Sequence, residues 1–253
     1  MTTRHLTLLT GASRGMGLAL AEALLTPGRT LVCISRSTAS GLDERARAAG
    51  ATLEQWQQDL ADGAAAAARL EAWLAQQDAQ AYASVTLINN AGVIARIGPL
   101  SDADPLDLAR ALRVGLEAPM QLSAAFLRAT RGWTGERRLL NISSGLGRRA
   151  MASQAGYCAA KAGMDQFTRC VALDEAPLAN GAKVCSLAPG VIDTDMQVQL
   201  RSADATAFPD VGNFAGLKEK GMLTSPGEAA ARVLAYLARP DFGANPVADV
   251  RDQ

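Results

Sequence analysis

Tyr157 and Lys161 stand four residues apart in the run Tyr-Cys-Ala-Ala-Lys. On a helix their side chains leave the same face one turn apart. An ammonium that close to a phenol stabilises the phenolate, and is expected to pull the tyrosine below its ordinary value of about 10. A tyrosine tuned in this way exchanges a proton with a substrate oxygen. Ser144 precedes Tyr157 by thirteen residues and follows Leu139-Leu140-Asn141-Ile142-Ser143, which reads as a buried strand. A hydroxyl at the carboxyl end of a strand can donate to the same oxygen. The three residues describe a proton-transfer site for a carbonyl or an alcohol.

A second chemical signal lies near the amino terminus. Residues 5–10 form an apolar run that breaks into Gly11-Ala12-Ser13-Arg14-Gly15-Met16-Gly17, and the segment from Leu18 to Leu25 then reads as helix. Strand, glycine turn and helix are the context that a phosphate-binding loop requires. Glycines let the backbone approach a pyrophosphate, and the helix start offers N–H groups and a positive dipole end. The spacing is G-x-x-x-G-x-G rather than G-x-G-x-x-G, so a purely structural glycine turn stands as the alternative. The next apolar run, Thr30 to Ser35, ends at Arg36. At that point of a nucleotide-binding sheet an acid binds a ribose 2′-hydroxyl, whereas an arginine accommodates a 2′-phosphate. Arg14 and Arg36, with no carboxylate beside them, favour NADP over NAD. The plain alternative is that both guanidiniums are merely solvated.

These residues need elements to hold them. Residues 41–49 read as helix and 51–57 as a strand that ends at Asp59-Leu60. Asp59 suits an adenine contact or an N-cap for the alanine-rich helix 62–76. A strand over 85–88 runs into Asn89-Asn90-Ala91-Gly92, which is either a turn or a device that holds the sheet edge open for a ligand. One long helix is predicted from Pro105 to Arg131, bent or relaxed at Pro119. A strand at 138–143, a helix at 155–175 and a strand at 183–188 lead into Pro189-Gly190. Residues 195–222 carry charges, glycines and the aromatics Phe208 and Phe214, and read as a mobile substrate lid. A helix over 228–238 and a strand over 245–250 close the chain. Strands alternating with helices mean an α/β fold with a parallel sheet covered on both faces. No linker interrupts residues 1–253, so one domain is expected.

Composition excludes several classes. Lys plus Arg and Asp plus Glu number 25 each, which leaves no net field for nucleic acid or an anionic membrane surface. Hydrophobic residues make up 49%, ample for a core, and no run approaches a membrane span. The first residues lack the basic and apolar regions of a secretory leader. Cys33, Cys158, Cys170 and Cys185 have no metal-ligand spacing and are expected to be buried, reduced thiols of a cytoplasmic protein. His5 reads as a solvated strand-end histidine rather than an acid–base group.

Five marks in register then carry a resemblance over nearly the whole chain. They are Thr10-Gly-Ala-Ser-Arg-Gly-Met-Gly17, Asn89-Asn-Ala-Gly92, Ser144, Tyr157-x-x-x-Lys161, and Pro189-Gly190 with Thr194. The sequence resembles the short-chain dehydrogenase/reductase family. The resemblance implies a Rossmann-type doubly wound sheet of about seven strands in the order 3-2-1-4-5-6-7. It further implies Tyr157 as general acid/base, Lys161 as its tuner and holder of the nicotinamide ribose, and Ser144 as the group that steadies the substrate oxygen. Gly11, Ser13, Arg14, Gly15, Met16, Gly17, Arg36, Asp59, Leu60, Asn89, Ala91, Gly92, Pro189, Gly190, Ile192 and Thr194 would join Tyr157 and Lys161 around NADP(H). The C-terminal third is similar to the sepiapterin reductase and benzil reductase branch, which reduces pterin side-chain ketones or vicinal dicarbonyls with NADPH. By that likeness Asp249 would touch substrate, and it could equally be an ordinary exposed carboxylate. Family members are commonly dimers or tetramers. One departure is Gly115, which stands where the family usually carries a helix asparagine that helps hold a relay water. It leaves open a dinucleotide-binding sensor with little chemistry.

Overall fold

The alternation of strand and helix closes into one seven-stranded parallel sheet in this computed structural model, which describes residues 4–252. The strands are β1 (His5–Thr10), β2 (Arg29–Ser35), β3 (Thr52–Gln57), β4 (Ser84–Asn89), β5 (Glu136–Ile142), β6 (Lys183–Ala188) and β7 (Val247–Asp249). Their order is β3-β2-β1-β4-β5-β6-β7, as the family resemblance implies. The helices are α1 (Gly15–Leu24), α2 (Leu42–Ala48), α3 (Gly63–Leu74), α4 (Pro105–Leu112), α5 (Ala118–Ala129), α6 (Ala155–Glu175), α7 (Asp195–Arg201), α8 (Val211–Glu219) and α9 (Pro226–Leu237).

Successive strand residues face opposite ways, and the apolar strands use both faces. Leu9, Leu31, Cys33, Ile88, Leu140 and Cys185 pack under α1, α2 and α9. Their neighbours Leu8, Val32, Ile34, Leu87, Leu139 and Val184 pack on the other side, under α3, α5 and α6. A parallel sheet buried on both faces must read as near-continuous apolar runs, and these strands do. Polar chemistry is thereby driven to the strand ends. At the amino end of β5, the fully buried Arg137 donates to Glu175 at 3.0 Å and to the Asn180 carbonyl at 2.7 Å. The carboxyl ends, where open sheets of this topology bind ligands, carry the candidate site.

Three expectations need correcting and one is met. The helix predicted over 105–131 runs through residues 105–129 with its relaxed turn in place: a π turn at Arg113–Glu117 joins α4 to α5. Pro119 has no N–H to offer the carbonyl one turn earlier, and the backbone relaxes there into a wider turn. Gly115 lies buried within it, and a Cβ at that position would meet Ala160 of α6 at 3.4 Å. The cap of α3 is Asp62, whose carboxylate accepts from the Ala65 N–H; Asp59 instead accepts from the Ala61 N–H. Only Cys33 and Cys185 of the four cysteines are buried, their thiols pushed up to about 12 by burial, while Cys158 is half-buried and Cys170 exposed. β7 is shorter than the predicted strand over 245–250, because Asn245 turns back to accept from the Val247 N–H.

Candidate active site

A cleft of about 990 Å³ runs across the carboxyl ends of the strands, in the size range of small-molecule sites. Its floor on one side is the turn between β1 and α1. Gly11 and Gly15 hold φ of 71° and 55°, the left-handed region that glycine enters without strain. A Cβ on Gly17 would lie 1.9 Å from the Gly11 carbonyl oxygen, so helix and turn touch backbone to backbone. Side chains from neighbouring strands brace the turn. Asn90 Nδ2 donates to the Thr10 and Gly11 carbonyls at 3.0 and 3.2 Å, and Thr10 Oγ1 accepts from the Asn90 and Ala91 N–H groups. Ser35 Oγ accepts from the Ala12 N–H at 2.8 Å. What remains is a concave backbone surface at a helix start, which suits a pyrophosphate.

On the other side stand β5 and α6. Ser144 ends the extended segment that follows β5 (φ −157°, ψ 154°), and its Oγ accepts from the Leu146 N–H at 3.2 Å. Tyr157 is half-buried on the first turn of α6. Lys161, 4% exposed, donates from Nζ to the Ile142 carbonyl at 2.7 Å, and that nitrogen lies 5.7 Å from the centre of the Tyr157 ring. The expectation that the ammonium lowers the phenol is overturned in direction. Burial pushes Tyr157 above its ordinary value, and the neighbouring Ser144 hydroxyl opposes this without winning. The same burial pulls Lys161 down to about 8, against the opposing attraction of Asp165. Desolvation disfavours both charged forms, so the phenol is held protonated.

Behind these residues lies a hub that sequence reasoning missed. Asp165, 2% exposed, accepts from Ser143 Oγ at 2.5 Å and Ser186 Oγ at 2.6 Å, and pairs with Arg148 at 3.2 Å. Arg148 in turn donates to the Ala248 carbonyl of β7 at 2.7 Å. The hub ties β5, β6, β7 and α6 together beneath Ser144 and Lys161. A signal was present: Tyr157, Lys161 and Asp165 repeat every four residues and share one helix face.

Of the predicted site residues, Ser144, Tyr157, Lys161, Gly11, Ser13, Arg14, Gly15, Met16, Gly17, Arg36, Asp59, Leu60, Ala91, Gly92, Pro189, Gly190, Ile192, Thr194 and Asp249 all line the cleft. Asn89 does not. It is 1% exposed and donates to Asn141 Oδ1 at 2.9 Å and Ser123 Oγ at 3.1 Å, so it cross-links the sheet to α5, and its neighbour Asn90 faces the cleft. Arg14 is drawn to Asp195 of α7 at 3.0 Å, both groups exposed, while Arg36 lies exposed at the cleft. Asp249 is not an exposed carboxylate. It is 6% exposed and gripped by Arg251 through two bonds of 2.7 and 2.6 Å, which hold it well below the usual carboxylate range. The segment 195–222 folds as α7 and α8 around its own small core of Leu200, Phe208 and Phe214 and roofs the far end of the cleft.

Comparison with known proteins agrees with this fold. Residues 5–205 match the family model for short chain dehydrogenases. The chain is 33% identical over 235 residues to the benzil reductase ((S)-benzoin forming) of Bacillus cereus, covering 93% of this chain and 94% of that enzyme. It is 33% identical over 245 residues to the sepiapterin reductase of Xenopus tropicalis, covering 92% and 90%. Among solved structures, a 3-oxoacyl-[acyl-carrier protein] reductase from Brucella melitensis in complex with NAD superposes with a TM-score of 0.80 at 23% identity, covering 99% of this chain and 96% of that one. The chain belongs to the short-chain dehydrogenase family, whose members are oxidoreductases of the C=O/CH–OH class that bind a nicotinamide dinucleotide.

Proposed function

We propose that this chain is an NADPH-dependent carbonyl reductase acting on a ketone or vicinal dicarbonyl, the class named by its benzil and sepiapterin reductase relatives. The observation that carries the reading is the shared cleft. A backbone cradle for phosphates faces a Ser144–Tyr157–Lys161 set whose phenol burial keeps protonated. A protonated phenol is poised to give a proton to a developing alkoxide, which is the reducing direction.

The residues present fit the dinucleotide. The turn Gly11–Gly17 offers backbone, with no room for a side chain at Gly11 or Gly17, and takes the pyrophosphate. Arg36 and Arg14 take the ribose 2′-phosphate, with Asp59 and Leu60 at the adenine, and Gly190, Ile192 and Thr194 at the nicotinamide end. Bound there, the dinucleotide supplies the hydride. Ser144 donates to the substrate carbonyl oxygen and fixes its place. Tyr157 donates to the same oxygen and releases its proton as negative charge builds there. Lys161, buried beside Gly92 and held by the Ile142 carbonyl, orients the ribose and lends positive charge when protonated. The roof of α7 and α8 acts as a lid that excludes water. Asp249, fixed by Arg251, forms a wall of the substrate end. We assign the working form to a cytoplasmic homodimer or homotetramer, by likeness to the family.

The test is NADPH oxidation against a panel of benzil, diacetyl and sepiapterin, with NADH in parallel. Turnover of at least one compound with NADPH at least about tenfold faster than with NADH is expected. Tight dinucleotide binding with no turnover of any of them would sink the reductase reading.

A further inference from the structure

The cleft holds a polar group that the mechanism above does not use. Gln154 is 4% exposed, lines the cleft, and leaves Nε2 buried without an acceptor. Its side chain makes no cap bond at the start of α6, and among the described residues Nε2 has no partner. Native structures rarely tolerate a buried donor in that condition, and one carried by a cleft-lining residue marks the place of a missing partner. The backbone holds it there under strain. Ser153, the residue before it, has a left-handed φ of 61° although it is not glycine, and its Oγ donates to the Ala207 carbonyl of the lid segment at 2.5 Å. Such conformations persist where surrounding contacts enforce them, and cluster at ligand clamps.

Gln154 stands three residues before Tyr157, one helical turn from the proton donor. Ser144 and Tyr157 already take the carbonyl oxygen in the reading above, so a donor one turn away is left for the next substrate atom. Gln197 of α7 also lines the cleft, is 7% exposed and leaves Oε1 buried without a donor. The cleft lining also includes Ile94, Met151, Leu200 and Phe214, which pack together.

We propose that Gln154 binds the oxygen on the carbon adjacent to the reacting carbonyl, so that the site selects α-oxygenated ketones over simple monoketones. The inference rests on the carbonyl-reductase reading and deepens it. In a vicinal dicarbonyl the spectator oxygen accepts from Gln154 Nε2. In an α-hydroxyketone the spectator hydroxyl accepts from Gln154 and donates to Gln197 Oε1, so that class depends on both residues. The apolar lining takes the substituents.

The experiment compares kcat/KM for 1-phenylpropane-1,2-dione, 2-hydroxypropiophenone and propiophenone, with NADPH, in the wild type and in Gln154→Met and Gln154→Glu. Each variant is divided by wild type on the same substrate, which cancels the greater intrinsic reactivity of the dione. With Gln154→Met the dione and the hydroxyketone are expected to lose about tenfold and propiophenone less than about threefold, the effect of one hydrogen bond to substrate. Gln154→Glu replaces a donor by an acceptor and is expected to lose at least as much on the dione; it serves in place of the methionine variant if that one fails to bind NADPH. Gln197→Met should lower only the hydroxyketone. Equal losses on dione and propiophenone, or none, overturn the role of Gln154 while leaving the reductase reading intact. A wild type that reduces none of the three overturns both.

Discussion

The two ends of the cleft are built on different principles. At the cofactor end the working surface is backbone: Gly11, Gly15 and Gly17 contribute no side chain, and Asn90, Thr10 and Ser35 hold the turn from behind. At the catalytic end the working surface is side chain, and it stands on a buried polar hub. Asp165, Ser143, Ser186 and Arg148 fix the strand ends, and Lys161 is locked to the Ile142 carbonyl. A backbone site tolerates almost no added atom, whereas a side-chain site tolerates loss of an atom but not of its chemistry. Binding and turnover are therefore separable by mutation.

The largest effect comes from setting one end against the other. Tyr157→Phe removes only the phenolic oxygen, and is expected to cut kcat by roughly 10²- to 10⁴-fold while leaving NADPH affinity within about threefold. Gly17→Ala adds one methyl 1.9 Å from the Gly11 oxygen and 2.5 Å from Asn90 Nδ2. It is expected to destabilise the fold by about 1–3 kcal/mol and to weaken NADPH by more than about tenfold. Dinucleotide fluorescence titration and stopped-flow reduction on both variants check the contrast. Loss of NADPH binding in Tyr157→Phe would erase the distinction.

A smaller effect sharpens the cofactor end. Arg36 is exposed at the cleft, whereas Arg14 is shared with Asp195. Arg36→Ala is expected to weaken NADPH about tenfold with little change for NADH. Asp195→Asn releases Arg14 from an exposed ion pair worth at most about 1 kcal/mol, so NADPH should tighten by no more than about fivefold. Calorimetric titration with both dinucleotides measures the two shifts. Equal weakening of NADH and NADPH in Arg36→Ala would remove the 2′-phosphate from the picture.

The same contrast explains what could be read from the chain. Strand and helix positions were legible because a doubly covered sheet demands long apolar runs, the strand order came with the family resemblance, and glycine spacing marks a backbone site directly. Tyr157 and Lys161 were legible because one helix carries both. Asn89 misled, since Asn89 and Asn90 alternate across the strand end and only the latter faces the cleft. Gln154 and the Asp165 hub stayed hidden because their meaning depends on which partners four separate elements bring, or fail to bring, to them. The sign of the Tyr157 shift was misjudged for the same reason: spacing reports that an ammonium is near, and it does not report the burial that raises the phenol.

That burial has a consequence for stability that is independent of turnover. Lys161 is pulled from 10.5 to about 8 by desolvation. Below about pH 8 the ammonium is charged in both the folded and unfolded states, and the fold bears the full cost of burying it. Between about 8 and 10.5 the folded protein has released a proton that the unfolded chain still holds, so this residue's contribution to stability rises with pH and then levels off. The raised thiols of Cys33 and Cys185 act in the opposite sense above pH 9, which masks the trend in the wild type alone. Lys161→Met isolates it, because the thiols are common to both proteins. Methionine removes the buried charge at similar length, at the cost of the bond to Ile142. The variant, inactive or nearly so, is expected to be the more stable protein at pH 7, by up to about 3 kcal/mol. Its advantage should shrink steadily as pH is raised to 10. Urea unfolding of both proteins at pH 7, 8.5 and 10 measures this. A difference that does not change with pH would mean that Lys161 keeps an ordinary ammonium in the fold, stabilised by Asp165 more strongly than burial penalises it.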